Sequence, residues 1–173
     1  MYWLGTNDLN QPVTSHLERN MKETVVRPAE VYDLRAINRV IESAVMNWPA
    51  ETRMKRLAVA PLQYDEVDLN HYEMLVVERH SEVIAVAAWD PAACASEEAG
   101  GVFHGLYVLP VLQRHGLGRR LMDVVFESAS KRGLPGLIFK AQRVSRSYFE
   151  HQGFELKAAN ENEYPWQYWK RLG

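Results

Sequence analysis

The chain has a single cysteine, Cys94, no apolar run long enough to cross a membrane, no internal repeat and no excess of basic charge. Each absence removes a class of protein. One cysteine excludes an internal disulfide framework and makes a reducing cytoplasm the expected compartment. Without a run of about 18 apolar residues there is no helical membrane span. A net charge of −2 and a pI near 6.3 argue against nucleic acid as the main partner. The N-terminus, Met1-Tyr-Trp-Leu-Gly-Thr-Asn-Asp8, lacks the basic and long apolar regions of a secretory signal. His16, His71, His80 and His151 form no ligand spacing, so no metal is expected. Cys94 lies among small residues with no histidine or acid pattern around it, and reads as an incidental thiol rather than a nucleophile.

What is present is one domain of ordinary composition, long enough for a real core. Residues 1–22 read as an extension, polar apart from Tyr2-Trp3-Leu4 and Val13; it is a loose arm, or its aromatics dock on a second subunit of a homodimer. From residue 23 to 173 the pattern predicts strand, one or two helices, three strands, helix, strand, helix and two strands. Thr24–Arg27 is the first strand. Residues 31–48 carry apolar side chains at helical spacing. A second helix over 51–60 is expected to stop at Pro61. Residues 73–78 and 83–89 form a hairpin, 101–109 a strand, and 117–130 a helix facing the core with Leu117, Leu121, Val124, Val125 and Ser128. A short strand at 137–140, a helix at 145–152 ending at Gly153, and strands at 154–157 and 164–170 complete a mixed α/β domain with a central sheet.

The densest segment is Gln113-Arg-His-Gly-Leu-Gly-Arg-Arg120, between the strand and the helix. The first N–H groups of a helix have no intrahelical acceptor and the helix dipole is positive there, so the site suits a phosphate. Gly116 and Gly118 permit close backbone approach, and Arg114, Arg119 and Arg120 supply cations, or simply solvate a helix start. A dinucleotide loop needs a third glycine where Leu121 stands, and a P-loop needs a Gly-Lys-Ser/Thr ending that is absent.

Gln-x-x-Gly-x-Gly after a strand ending Leu106-Tyr-Val-x-Pro110 resembles the coenzyme-A loop of the GNAT-type N-acetyltransferases. Val25 to Ile37 is similar to that family's opening strand and helix, and Ser145-Arg-Ser-Tyr-Phe-Glu-His-Gln-Gly-Phe154 to its late helix. The resemblance covers about residues 23–170. It implies a single GNAT-like domain, a mixed sheet of six to seven strands flanked by helices, and splayed central strands holding acetyl-CoA. The implied cofactor contacts are the main chain of Leu106, Tyr107 and Val108, the loop Gln113, Arg114, His115, Gly116, Leu117, Gly118 and Arg119, and Ser145. The implied activity is direct transfer of an acetyl group to a primary amine of a small molecule or peptide.

Such a transfer needs a neutral amine, a polarised carbonyl and a proton for the departing thiolate. The Val108 N–H could polarise the carbonyl. The family's usual proton donor is a tyrosine at the position of Phe149; Tyr148 stands about 100° away around a helix. Either Tyr148 reaches the sulfur from an altered helix, or it packs and another group serves. Gln142 replaces the family's frequent asparagine. His104, placed by strand alternation on one face with Val102, Leu106 and Val108, is the candidate base, or a half-buried histidine satisfied by the backbone. Residues 46–70 and 90–100 are the expected acceptor-lining connections. There Trp48, Tyr64, Asp65, Glu66 and Asp68 attract a cationic amine or form an exposed acidic loop. Trp166, Tyr168 and Trp169 build the core, a pocket wall or a dimer face. The alternative to an enzyme is an acyl-CoA-binding sensor that has lost turnover, favoured by Phe149.

Overall fold

The computed structural model describes residues 23–93, 100–141, 146–160 and 163–172. The arm 1–22, Cys94, Gln142 and Ser145 lie outside the described residues. A seven-stranded mixed sheet is ordered β1-β2-β3-β4-β5-β7-β6. Its strands are β1 (Thr24–Pro28), β2 (Glu73–Arg79), β3 (Glu82–Asp90), β4 (Gly101–Val108), β5 (Gly136–Ala141), β6 (Glu155–Asn160) and β7 (Glu163–Arg171). Among the described residues only the β4–β5 contact is parallel.

Among the described residues five α-helices cover the sheet: α1 (Leu34–Met46), α2 (Thr52–Leu62), α3 (Glu66–His71), α4 (Leu117–Lys131) and α5 (Arg146–His151). Helix α1 buries Ile37, Val40, Ile41, Ala44 and Val45 against Val76, Val86 and Tyr107, with Ala58, Val59 and Leu62 of α2 beside them. On the other face α4 buries Leu117, Leu121, Met122, Val125 and Ala129 against Phe103, Leu137 and Phe139. The expected stripe is thus turned slightly: Val124 and Ser128 stand at its margin. Tyr168 and Trp169 are core residues, at 0% and 5% exposure, which removes both from any dimer face.

Local chemistry sets the connections. His80 and Ser81 join β2 to β3 with φ of 50° and 64°, the left-handed pair of a two-residue hairpin turn that matches strand twist. Asp33 is buried and receives both Arg27 guanidinium nitrogens, at 2.7 and 2.9 Å, plus the Glu30 N–H at 2.8 Å. The same Arg27 reaches Glu78, so one cation ties β1, β2 and the entry to α1.

Two expectations for residues 46–70 are corrected. Helix α2 runs through Pro61 to Leu62; a proline at the last turn forfeits one backbone hydrogen bond without ending the helix there. Residues 66–71 are helical rather than loop, because Asp65 accepts from the N–H groups of Val67 and Asp68 while Asp68 accepts from that of Asp65. That reciprocal cap satisfies the first-turn donors. Among the described residues no helix is long and apolar enough to cross a membrane.

Candidate active site

The sheet opens at its centre. Strands β4 and β5 pair at Gly101↔Leu137, Val102↔Ile138 and Phe103↔Phe139. Beyond Phe139, Lys140 and Ala141 pair with Gln167 and Trp166 of β7, while Gly105 to Val108 pair with β3. Among the described residues, therefore, the β5-facing main-chain groups of β4 beyond Phe103 meet no strand. This opening lies beside the glycine loop.

The loop has the geometry of a helix start with an open approach. Gly116 is the N-cap of α4, with φ 81°, a conformation in which a side chain on any other residue is strained. Nothing lies within 4 Å of where such a side chain would begin. Arg114 also has positive φ, 64°. Gln113 donates from Nε2 to the Val108 carbonyl at 3.2 Å, tying the loop to the strand end. The His115 ring, through Nδ1, bonds the Gln113 carbonyl at 2.8 Å.

Leu117 is a core side chain, 1% exposed, so only its main chain faces the loop. Arg114 and Arg119 are exposed, Arg119 lying 3.9 Å from Asp123. Arg120 turns away: its guanidinium bonds the Thr24 hydroxyl and, at 3.1 Å, the Thr24 carbonyl. It is thereby a β1 anchor rather than a loop cation.

Residues Leu106, Gly118 and Tyr148 come together. A side chain begun on Gly118 would meet Leu106 Cδ2 at 3.4 Å and the Tyr148 hydroxyl at 3.6 Å. The next residue, Phe149, meets the Tyr148 ring edge-on at 5.5 Å and is buried in the core with Phe139, Phe154 and Tyr168 at ring separations of 5.3–5.5 Å. Burial pushes the Tyr148 phenol above its ordinary value of 10, with the Arg119 charge opposing in part. The hydroxyl therefore keeps its proton at neutral pH.

His104 does not share a face with Leu106 and Val108. The β3–β4 register passes from Ala88↔Gly105 to Trp89↔Phe103, which leaves His104 as the extra residue of a β-bulge and shifts the alternation by one. Leu106 and Val108 pack on the α4 side with Phe103. His104 lies on the α1 side, its ring stacked on Tyr72 at 4.4 Å. The signal was Gly105, a glycine inside a strand. A side chain there would begin 2.5 Å from the Tyr64 hydroxyl and 2.7 Å from the Tyr107 ring.

Tyr64 is held by Asn38, which accepts from its N–H at 2.9 Å and donates to its carbonyl at 2.8 Å. Tyr64 in turn meets Tyr72 edge-on at 6.2 Å. Burial, then the charge of Lys140, holds the His104 imidazole below its ordinary value of 6.5, against the pull of Asp90 and Asp68. It is neutral at pH 7 and able to accept a proton.

The sequence model of the acetyltransferase (GNAT) family matches residues 37–154, a span that runs from α1 through the glycine loop to the end of α5. The chain belongs to this family. Solved GNAT structures share its fold. A PaiA N-acetyltransferase from Thermoplasma acidophilum, in complex with coenzyme A, is 15% identical and has a TM-score of 0.73 over 86% of this chain and 98% of its own. A GNAT acetyltransferase from Brucella melitensis, in complex with acetyl-CoA, is 18% identical with a TM-score of 0.60 over 87% and 88%. The ribosomal-protein-S18-alanine N-acetyltransferase of Escherichia coli is 18% identical with a TM-score of 0.56 over 84% and 90%. No curated protein sequence matches the chain significantly. The GNAT fold accounts for the break between β4 and β5 and for the helix start beside it.

Proposed function

We propose that this GNAT protein transfers the acetyl group of acetyl-CoA directly to a primary amine of a small molecule or peptide. The observation that carries the proposal is the convergence of the β4–β5 opening, the Gly116 helix start and the Tyr148 hydroxyl. When bound, acetyl-CoA supplies an activated acyl thioester. The N–H groups from Arg114 to Arg119 would hold its pyrophosphate, helped by the dipole of α4 and the exposed Arg114 and Arg119. Gln113, His115 and the main chain of Gly116, Leu117 and Gly118 shape that cradle. The main chain of Leu106, Tyr107 and Val108 would pair with the pantetheine arm, and the Val108 N–H would polarise the thioester carbonyl. Ser145 is assigned to cofactor contact on its place in the sequence.

Proton handling divides between the two faces of the sheet. His104, neutral and on the α1 side, would take the proton of the incoming amine. Tyr148, protonated and on the α4 side, would give one to the departing thiolate. Phe149 packs in the core, and the Tyr148 hydroxyl beside Gly118 is the donor we assign, which supports the reading of an active enzyme over a sensor.

The experiment is a thermal-shift titration with acetyl-CoA followed by thiol release with a panel of amines, amino acids and peptides. Stabilisation that rises logarithmically with ligand together with amine-dependent release of CoA is the expected result. Binding without release from any acceptor would mean a cofactor-binding sensor, and no binding would overturn the proposal altogether.

A further inference from the structure

The acids suggested by sequence as amine attractors are largely engaged within the protein. Asp65 Oδ1 accepts from Val67 and Asp68 at 2.8 and 3.0 Å, and Asp68 Oδ2 accepts from Asp65 at 3.0 Å. Asp90, an acid not among those the sequence suggested, is 7% exposed; it accepts from Ala92 and Ala93 at 2.8 and 3.1 Å and faces His71 Nε2 at 3.3 Å. Lys140 is different. It is exposed, and no salt bridge among the described residues engages it. Phe139 and Ala141 point into the α4-side core, so Lys140 stands on the α1 side. Val102 and Ile138, paired on that side, put His104 and Lys140 one step further along, across the mouth of the opening.

We propose that the acceptor carries a carboxylate beside its amine, and that Lys140 receives this carboxylate while the amine faces His104. The inference rests on the acetyl transfer proposed above. His104 and Lys140 stand just beyond the last β4–β5 pair, Phe103↔Phe139, where the strands have begun to part, and the long, flexible lysine stem can reach across the gap. The amine and carboxylate of an α-amino acid, both attached to one carbon, can then be met by the two side chains together. A simple ammonium would instead enter the field of the exposed Lys140 ammonium beside His104. Lys140 also bears on His104 itself, as its second-largest influence after burial.

The test compares amino acids with their amides in the wild type, Lys140→Gln and Lys140→Arg. The wild type should favour the amino acid by about tenfold in kcat/KM, the ratio expected for roughly 1.4 kcal/mol of charge pairing. Lys140→Gln should bring the amino acid down to the level of its amide through KM, and Lys140→Arg should keep the preference. Equal use of acid and amide by the wild type, or a preference that survives Lys140→Gln, overturns the inference. Should no amine turn over, calorimetry of N-acetyl-amino acids and their amides on the CoA-saturated protein decides it by the same comparison. Tighter, Lys140-dependent binding of the acids supports the inference, and equal binding overturns it. A wild type that does not bind acetyl-CoA fails earlier and overturns the proposed function instead.

Discussion

The Tyr148 hydroxyl stands 3.6 Å from the point at which a side chain on Gly118 would begin, so the late helix and the glycine loop border the same space. A methyl group at Gly118 makes only ordinary contacts with the protein, and alanine favours a helix over glycine by about 1 kcal/mol. We expect Gly118→Ala to fold with unchanged or slightly raised melting temperature yet to bind acetyl-CoA at least tenfold more weakly, measured by calorimetry. Gly116→Ala should differ by losing about 1 kcal/mol of stability, because its φ of 81° is left-handed.

Tyr148 and Phe149 can be exchanged in role only at a loss. Tyr148→Phe should lower kcat by about two orders of magnitude or more, the scale of one general acid, with acetyl-CoA affinity and stability held. Phe149→Tyr, although it restores the family's usual residue, would put a hydroxyl among Phe139, Phe154 and Tyr168. It should destabilise by about 1–3 kcal/mol in denaturant unfolding and should not raise the rate.

Much of this arrangement is legible in the sequence, and the exceptions have physical causes. Periodicity and punctuation gave the order of elements, since strand alternation and helical spacing are local properties. The loop was legible because Gly116 and Gly118 sit between a strand and a helix. The face of His104 was not, because a single bulge at His104-Gly105 reverses every later side chain on β4. Nor was the engagement of Asp65, Asp68 and Arg120, which depends on partners that a charge pattern does not specify. Lys140 became visible as a site residue only through the parallel β4–β5 register, a contact between segments far apart in the chain.

The neutral state of His104 has a consequence for pH. Its folded value lies below 6.5, so the imidazole is free to accept a proton above that pH and loses that capacity only as the pH falls further. With acceptor saturating, the acid limb of kcat, which reports groups of the bound complex, should have its midpoint below 6.5. His104→Ala should lower the rate at neutral pH, abolish that limb, and recover in part at high pH, where more of the free amine is neutral. A midpoint above 6.5 would count against His104.

Asp33 links acid sensitivity to the first strand. The Arg27 hydrogen bonds hold its carboxyl below the ordinary 3.8, with the Glu30 N–H assisting and burial opposing. Stability from this group is therefore fully present above about pH 4 and is lost as the pH falls through the lowered folded value. Asp33→Asn should destabilise by roughly 2 kcal/mol at pH 7, the scale of hydrogen bonds to a charged group. The difference from wild type should shrink in unfolding curves taken toward pH 3.

The central claim is that coenzyme A lies in the β4–β5 opening with its pyrophosphate on the Gly116 helix start. Amide NMR of the isotope-labelled protein titrated with acetyl-CoA tests it most directly. The account predicts that resonances of residues 106–108 and 114–119 move together and saturate with one binding constant. Saturable binding that leaves both segments unmoved would contradict it.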